Sequence, residues 1–189
     1  YNYFAQIYNH FYWPIYIRLF SLFLSMSDSS NICLSCMLCC NGTTIGFVQL
    51  EKKELLRVRE ILEIEEEEGN GFILQPCKKL GCNGCTIYNE RPKQCVKFEC
   101  KLLLSIKDKL ITAQSAVLIV EEVKKKKKII ERMIQKEKIN LTSKSFYFKA
   151  FELRKSMLKN SHPTDGFKII INKLEELNLI VTNNFGISF

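Results

Sequence analysis

Two stretches decide how this chain folds: Cys33-Leu-Ser-Cys36-Met-Leu-Cys39-Cys40, and Pro76-Cys77-Lys-Lys-Leu-Gly-Cys82-Asn-Gly-Cys85-Thr-Ile-Tyr88-Asn-Glu-Arg91-Pro92-Lys-Gln-Cys95-Val-Lys-Phe98-Glu-Cys100. All nine cysteines lie in them, and the C-terminal half has none. Cysteine used as an ordinary small hydrophobe would be scattered. Confinement to one region, with two-residue gaps repeated, means that the thiols converge, either on metal or in disulfides.

Three features favour metal. Disulfides need an oxidising compartment, and the chain shows no convincing signal peptide with a small-residue cleavage site. The cysteine count is odd, so full pairing leaves one thiol over. A Cys-x-x-Cys turn folds back so that both sulfurs face one ion, while its amides donate to them. Sulfur ligation suits zinc and also iron–sulfur clusters, and two four-thiolate sites would use eight of the nine. The first block opens like a ferredoxin run but continues directly to Cys40 and lacks Cys-Pro, which disfavours a ferredoxin without excluding a cluster. His10 and His162 read as ordinary surface residues, not ligands.

Outward from the blocks, composition bounds the rest. At 189 residues and 47% hydrophobic, the chain can bury a real core as one domain, or one domain with a small appendage. The formal charge of +8 counts every cysteine as neutral. Eight thiolates holding two divalent ions would leave about +4, which weakens the case for nucleic acid as a partner.

Residues 1–25 are aromatic and apolar, and the chain does not begin with Met. The run Trp13–Leu24, interrupted by Arg18, is short for a membrane span. It reads as an anchor, as an interfacial segment, or, preferred here, as upstream sequence with Met26 as the natural start. Membrane contact is expected only if that segment belongs to the protein.

Gly42 and Gly46 allow tight turns near the first block. The Asn41-Gly42-Thr43 acceptor pattern carries no meaning in a cytosolic metal protein. The spacing of Leu55, Val58 and Leu62 predicts a helix over residues 49–68, whose Glu65–Glu68 run forms a solvated face, ended by Gly69-Asn70-Gly71. Phe72–Leu74 reads as a short strand leading into Cys77. Pro92 fixes the entry to the segment carrying Cys95 and Cys100. Arg91 is expected to pack, to pair with Glu90 or Glu99, or to donate toward thiolate charge, and Tyr88 to pack or donate.

The paired pattern Cys33-x-x-Cys36-x-x-Cys39-Cys40, Pro76-Cys77 and Gly84-Cys85-Thr86-Ile87-Tyr88-x-x-Arg91-Pro92-x-x-Cys95-x-x-Phe98-x-Cys100 resembles the CxxCxxCC, or YkgJ-like, cysteine-cluster family. Its members are described as zinc- or iron-chelating, and it includes iron–sulfur-type flagellin lysine N-methylases. The resemblance covers residues 33–100. It implies that Cys33, Cys36, Cys39, Cys40, Cys77, Cys85, Cys95 and Cys100 are the metal-site residues. Cys82 has no secure place in the pattern, so it is a spare thiol or an alternative ligand to Cys85. Val96 stands where the family often has Arg.

Beyond Cys100, Ile111–Val120 reads as a strand. Lys124–Lys128 reads as the solvated start of a helix carrying Ile129, Ile130, Met133 and Ile134. Leu141–Leu158 reads as a packed helix. After a linker at Ser161–Gly166, Asp165 is expected to cap a last helix running to Leu179, with Phe167, Ile170, Ile171, Leu174 and Leu177 as its apolar stripe.

The expected fold is α+β: a small, irregular, cysteine-rich core stapled by metal, with a mainly helical C-terminal extension. The expected divisions are 1–28, 29–105, 106–160 and 161–189. The expected function is a cytoplasmic protein binding zinc or iron, which includes an iron–sulfur cluster, with the metal at least structural. The alternatives are an iron–sulfur redox or group-transfer component, and a basic-surface interaction module using Lys124–Lys128, lysines that can attract phosphate or anionic lipid; the partner is unassigned, a protein being one option. No catalytic triad, phosphate loop or dinucleotide fingerprint assigns a reaction.

Overall fold

The computed structural model describes residues 29–189, and the readings of residues 1–25 and of His10 lie outside them. Helix α1 (Ser29–Cys36) carries Cys33 and Cys36 in its last turns, and the first cysteine block continues from it through a turn. Three strands follow, β1 (Phe47–Leu50), β2 (Glu65–Glu67) and β3 (Asn70–Leu74), forming an antiparallel sheet in the order β1-β3-β2. Val48 and Leu50 point into the core while Phe47 and Gln49 do not, the period of two that a half-buried strand requires.

The helix expected over residues 49–68 is not formed as such. Only α2 (Leu55–Arg59), with a 3-10 turn at Lys52–Glu54 before it, is helical in that span. Val58 and Leu62 are buried as the stripe requires. Glu65–Glu67 instead pair with β3 in the register Glu65↔Phe72 to Glu67↔Asn70. Glu68 (φ 51°) and Gly69 (φ 77°) form the two-residue turn between these strands, with both φ values positive as a tight hairpin prefers. The acid run is exposed, but as an edge strand.

A two-stranded hairpin, β4 (Leu80–Gly81) and β5 (Gly84–Cys85), carries the centre of the second block. The short helix α3 (Lys93–Lys97) carries Cys95 within it, and α4 (Lys101–Lys107) starts directly after Cys100. Three longer helices follow: α5 (Ala113–Lys136), α6 (Phe146–Lys159) and α7 (Asp165–Phe185).

The strand expected at Ile111–Val120 is therefore a helix. In a strand, Ala116, Leu118 and Val120 would share a face. Here Ala116, Val120, Val123, Ile130 and Ile134 are buried at three- and four-residue spacing, while Leu118 is 68% exposed. The lysine run sits in mid-helix, not at its start. Lys127 falls on the buried stripe, pairs with Glu131 at 3.6 Å and holds its ammonium 5.8 Å from the Phe146 ring centre.

Side-chain oxygens of Thr112, Ser145 and Thr164 cap α5, α6 and α7 by accepting the N–H of Ser115, Phe148 and Phe167. Thr164 is thus the cap expected of Asp165, and α6 starts at Phe146 rather than Leu141. Helix α7 extends past Leu179 to Phe185. Its stripe adds Val181 and Phe185 to Phe167, Ile170, Leu174 and Leu177.

Two apolar clusters result. The larger joins α5, α6 and α7 with Leu102 and Leu103 of α4, and also takes in Ile32 of α1 and Leu38 of the first cysteine block. The smaller is Val48, Leu50, Val58, Leu62 and Ile73, beneath the sheet. The architecture is α+β, with small sheets and a helical C-terminal region. No helix among the described residues is long and apolar enough to cross a membrane.

A candidate metal centre between the two clusters

The cysteine-bearing segments meet because backbone from one block sits directly on the other. Cys77 N–H donates to the Cys40 carbonyl at 2.8 Å. Gly84 packs so closely on α1 that a Cβ there would lie 2.8 Å from the Leu34 carbonyl oxygen. Gly42 (φ 74°) lies against Ser145, where an added Cβ would come within 2.7 Å of the Ser145 Cβ, and its carbonyl accepts from Tyr147 N–H at 2.8 Å. The start of α6 therefore holds the loop that follows Cys40. Asn41 Oδ1 accepts from Thr43, and Thr43 is buried.

The segment carrying Cys95 is anchored by a residue that the sequence reading leaves inside a helix. Glu54 is 3% exposed; its carboxylate accepts Lys93 N–H at 3.0 Å and Glu51 N–H at 3.2 Å. It fastens the start of α3 to the turn after β1. A glutamate among the apolar stripe positions Leu55, Val58 and Leu62 was the available signal. On the surface beside it, Lys97 Nζ donates to Glu51 at 2.6 Å.

All nine cysteines are free thiols. Eight of them, Cys33, Cys36, Cys39, Cys40, Cys77, Cys85, Cys95 and Cys100, line one cavity of about 840 Å³. Cys82 does not line it; it is exposed in the turn between β4 and β5. Among the described residues, no group of three or more His, Cys, Asp or Glu side chains stands at the spacing of a closed metal site. The thiols surround the space without converging on a point. Rotation about a cysteine χ1 moves its sulfur by roughly 3 Å, the scale of movement needed to draw thiols onto an ion.

Burial raises the proton affinity of these thiols. It pushes Cys36 and Cys95 up to about 12 and Cys40 up to about 11, and nearby thiols add repulsion. Burial likewise raises Cys33, Cys39, Cys77 and Cys100. Opposing donors are aimed at the sulfurs. Thr44 Oγ1, fully buried, donates to Cys39 Sγ at 3.4 Å. Backbone amides of Leu38, Lys79, and Leu102 and Leu103 favour the thiolates of Cys36, Cys77 and Cys100 respectively. Amides two residues beyond a cysteine, turned toward its sulfur, are what a thiolate bound to metal uses.

Cationic groups surround the cavity. Arg91 favours the thiolate of Cys33, and also those of Cys40 and Cys95. Its guanidinium lies 3.7 Å from the Tyr88 ring centre, and Nη1 donates to the Tyr88 carbonyl at 2.6 Å. Glu99, one expected partner for Arg91, pairs with Lys107. From the lysine run, Lys124 Nζ donates to the Ser35 carbonyl at 3.0 Å within the first block. Lys126 pairs with Glu176, while Lys125 and Lys128 are exposed. Gln75, also on the cavity wall, keeps a buried Oε1 that has no hydrogen-bond partner among the described residues. His162 is exposed and meets Ser161 in the loop before α7.

Soft sulfur donors, amide and hydroxyl donors to them, and cations beside them fit a soft or borderline metal such as zinc or iron. The fold and this donor set define a cysteine-cluster class of protein. A family model described as "CxxCxxCC: putative zinc- or iron-chelating domain" matches residues 32–128, just over half of the chain, and the chain belongs to that family. The match extends beyond Cys100, through α4 and into α5 as far as Lys128. Neither the curated proteins nor the solved structures contain a match to the chain.

Proposed function

We propose that the eight cavity thiols hold zinc or iron, and that the metal's first role is to fasten the sheet cluster to the helical cluster. The carrying observation is that these eight line one cavity and the ninth, Cys82, does not. When bound, the metal supplies strong bonds to thiolates, so its binding energy becomes folding energy. The chain's own contribution is to orient the sulfurs through the amides after Cys36, Cys77 and Cys100, and to offset their charge with Arg91 and Lys124. A reducing, cytoplasmic setting goes with this reading, because the metal binds reduced thiolates and disulfide formation would remove them.

Metal analysis of anaerobically purified protein, together with its visible spectrum and melting temperature, tests the reading. Tightly held zinc, or iron with acid-labile sulfide and sulfur-to-iron absorption, is expected, and its removal should lower the melting temperature. Iron with sulfide that bleaches reversibly on reduction would identify a redox-active cluster. A metal-free preparation that folds fully and takes up neither metal would overturn the proposal.

A further inference from the structure

Eight thiols are more than a single zinc ion or a single four-cysteine iron–sulfur cluster accepts. Tetrahedral zinc takes four, and so does a cysteine-bound iron–sulfur cluster. If all eight serve, they must divide, and their attachments indicate how.

Cys36 and Cys100 pack against the helical cluster, whereas Cys77 and Cys95 pack against the sheet cluster. Around the first pair, Cys33 lies one helical turn before Cys36 in the same helix, and Cys39 follows Cys36 by three residues in the same block. Around the second, Cys77 is tied by backbone to Cys40, and its carbonyl accepts Leu80 N–H at 3.0 Å. Leu80 is the strand partner of Cys85, so the β4–β5 hairpin brings Cys77 and Cys85 together.

These ties place Cys33 with Cys36 and Cys100, and place Cys40 and Cys85 with Cys77 and Cys95, so that Cys39 completes the first four.

We propose that the cavity contains two separate four-thiolate centres, one built from Cys33, Cys36, Cys39 and Cys100 and the other from Cys40, Cys77, Cys85 and Cys95. The adjacent Cys39 and Cys40 are divided between them. The first centre rests on the helical cluster and the second on the sheet cluster, and Arg91 faces thiols of both. This proposal rests on the metal-chelating reading above and adds the number of centres and the ligands of each.

The experiment counts zinc retained per chain after anaerobic reconstitution with Zn²⁺ and a brief chelator challenge. Four proteins are compared: the parent, two same-centre doubles (Cys36→Ser with Cys100→Ser, and Cys77→Ser with Cys95→Ser), and a cross-centre double (Cys36→Ser with Cys95→Ser). The parent should keep two zinc ions, each same-centre double one, and the cross-centre double none. Loss of both ions in a same-centre double, or retention of one in the cross-centre double, overturns the assignment. A parent holding a single zinc overturns the two centres but leaves the chelating function standing. A parent that refuses zinc is reconstituted with iron and sulfide and its iron clusters are counted in the same four proteins, and only a parent that takes up neither metal overturns that function itself. Should a double variant fail to fold, Co²⁺-loaded Cys36→Ser and Cys95→Ser single variants give the reading. Each should show half the parent's four-thiolate cobalt absorption, and complete loss in either overturns the proposal.

Discussion

Cys82 and Cys85 are three residues apart on one hairpin, yet only Cys85 lines the cavity. Cys82→Ser should therefore keep the parent's zinc content, and its unfolding free energy to within about 0.5 kcal/mol, the range of an ordinary surface change. Cys85→Ser should lose one zinc equivalent and a substantial part of the stability. Zinc counting on the two purified variants decides the matter, and an equal loss in both would place Cys82 among the ligands. Arg91 acts on the same scale through its charge. It favours the thiolates of Cys33, Cys40 and Cys95 while stacked on Tyr88. Replacing it by Gln should raise the pH at which zinc is half bound and weaken binding roughly tenfold, about one pKa unit of lost interaction. Arg91→Lys should recover part of that shift, which a purely packing role would not predict. Competition titrations with a zinc indicator across pH provide the measurement.

At the scale of elements, two contacts bring the blocks together. The β4–β5 hairpin reaches α1 only because Gly84 has no side chain. Its φ of 104° and the nearby Leu34 carbonyl both exclude a Cβ. Gly84→Ala should cost on the order of 2–3 kcal/mol from strain and displacement, and should loosen metal at both blocks, since α1 carries Cys33 and Cys36. Urea unfolding of the loaded protein measures it, and an unchanged midpoint would rule out this docking contact. Glu54 fastens α3 in a similar way. Glu54→Ala leaves the Lys93 and Glu51 amides without their buried acceptor and should cost about 2–4 kcal/mol. The surface pairs of Glu51 with Lys53, Lys93 and Lys97 each contribute far less, because they are solvated.

For the whole molecule, proton and metal compete for the same sulfurs. In the metal-free fold, burial raises Cys40 to about 11 and Cys36 and Cys95 to about 12, from an ordinary thiol value of 9.0. The unfolded chain thus gives up protons that the native chain retains. This contribution to stability is fully present below pH 9 and is lost as pH rises through 11 to 12. Thermal melts of chelator-treated protein should show the melting temperature falling over that alkaline range. The zinc-loaded protein, whose thiolates are already deprotonated on metal, should fall much less, and zinc affinity should increase between about pH 6 and 8 as protons are displaced. Parallel melting curves for the two forms would show that the cavity thiols are not where the metal binds.

The cysteine spacing by itself determined that the thiols gather, and the regular stripe from Phe167 to Leu177 determined the face that α7 buries. Local spacing carries such information because a two-residue gap or a helical period acts within one segment. It could not distinguish Glu65–Glu67 as a strand, since whether an exposed acidic run pairs depends on the distant edge of β3. Nor could it reject a strand at Ile111–Val120, where packing on α7 favours the three- and four-residue spacing of Ala116, Val120 and Val123 and leaves Leu118 outside. Glu54 became an anchor only when Lys93, far along the chain, arrived with its amide. The grouping of the thiols is likewise tertiary. Cys36 and Cys100 pack on the helical cluster, whereas Cys77 and Cys95 pack on the sheet cluster. Two separate cores determine those positions, and neither core is encoded in the cysteine spacing.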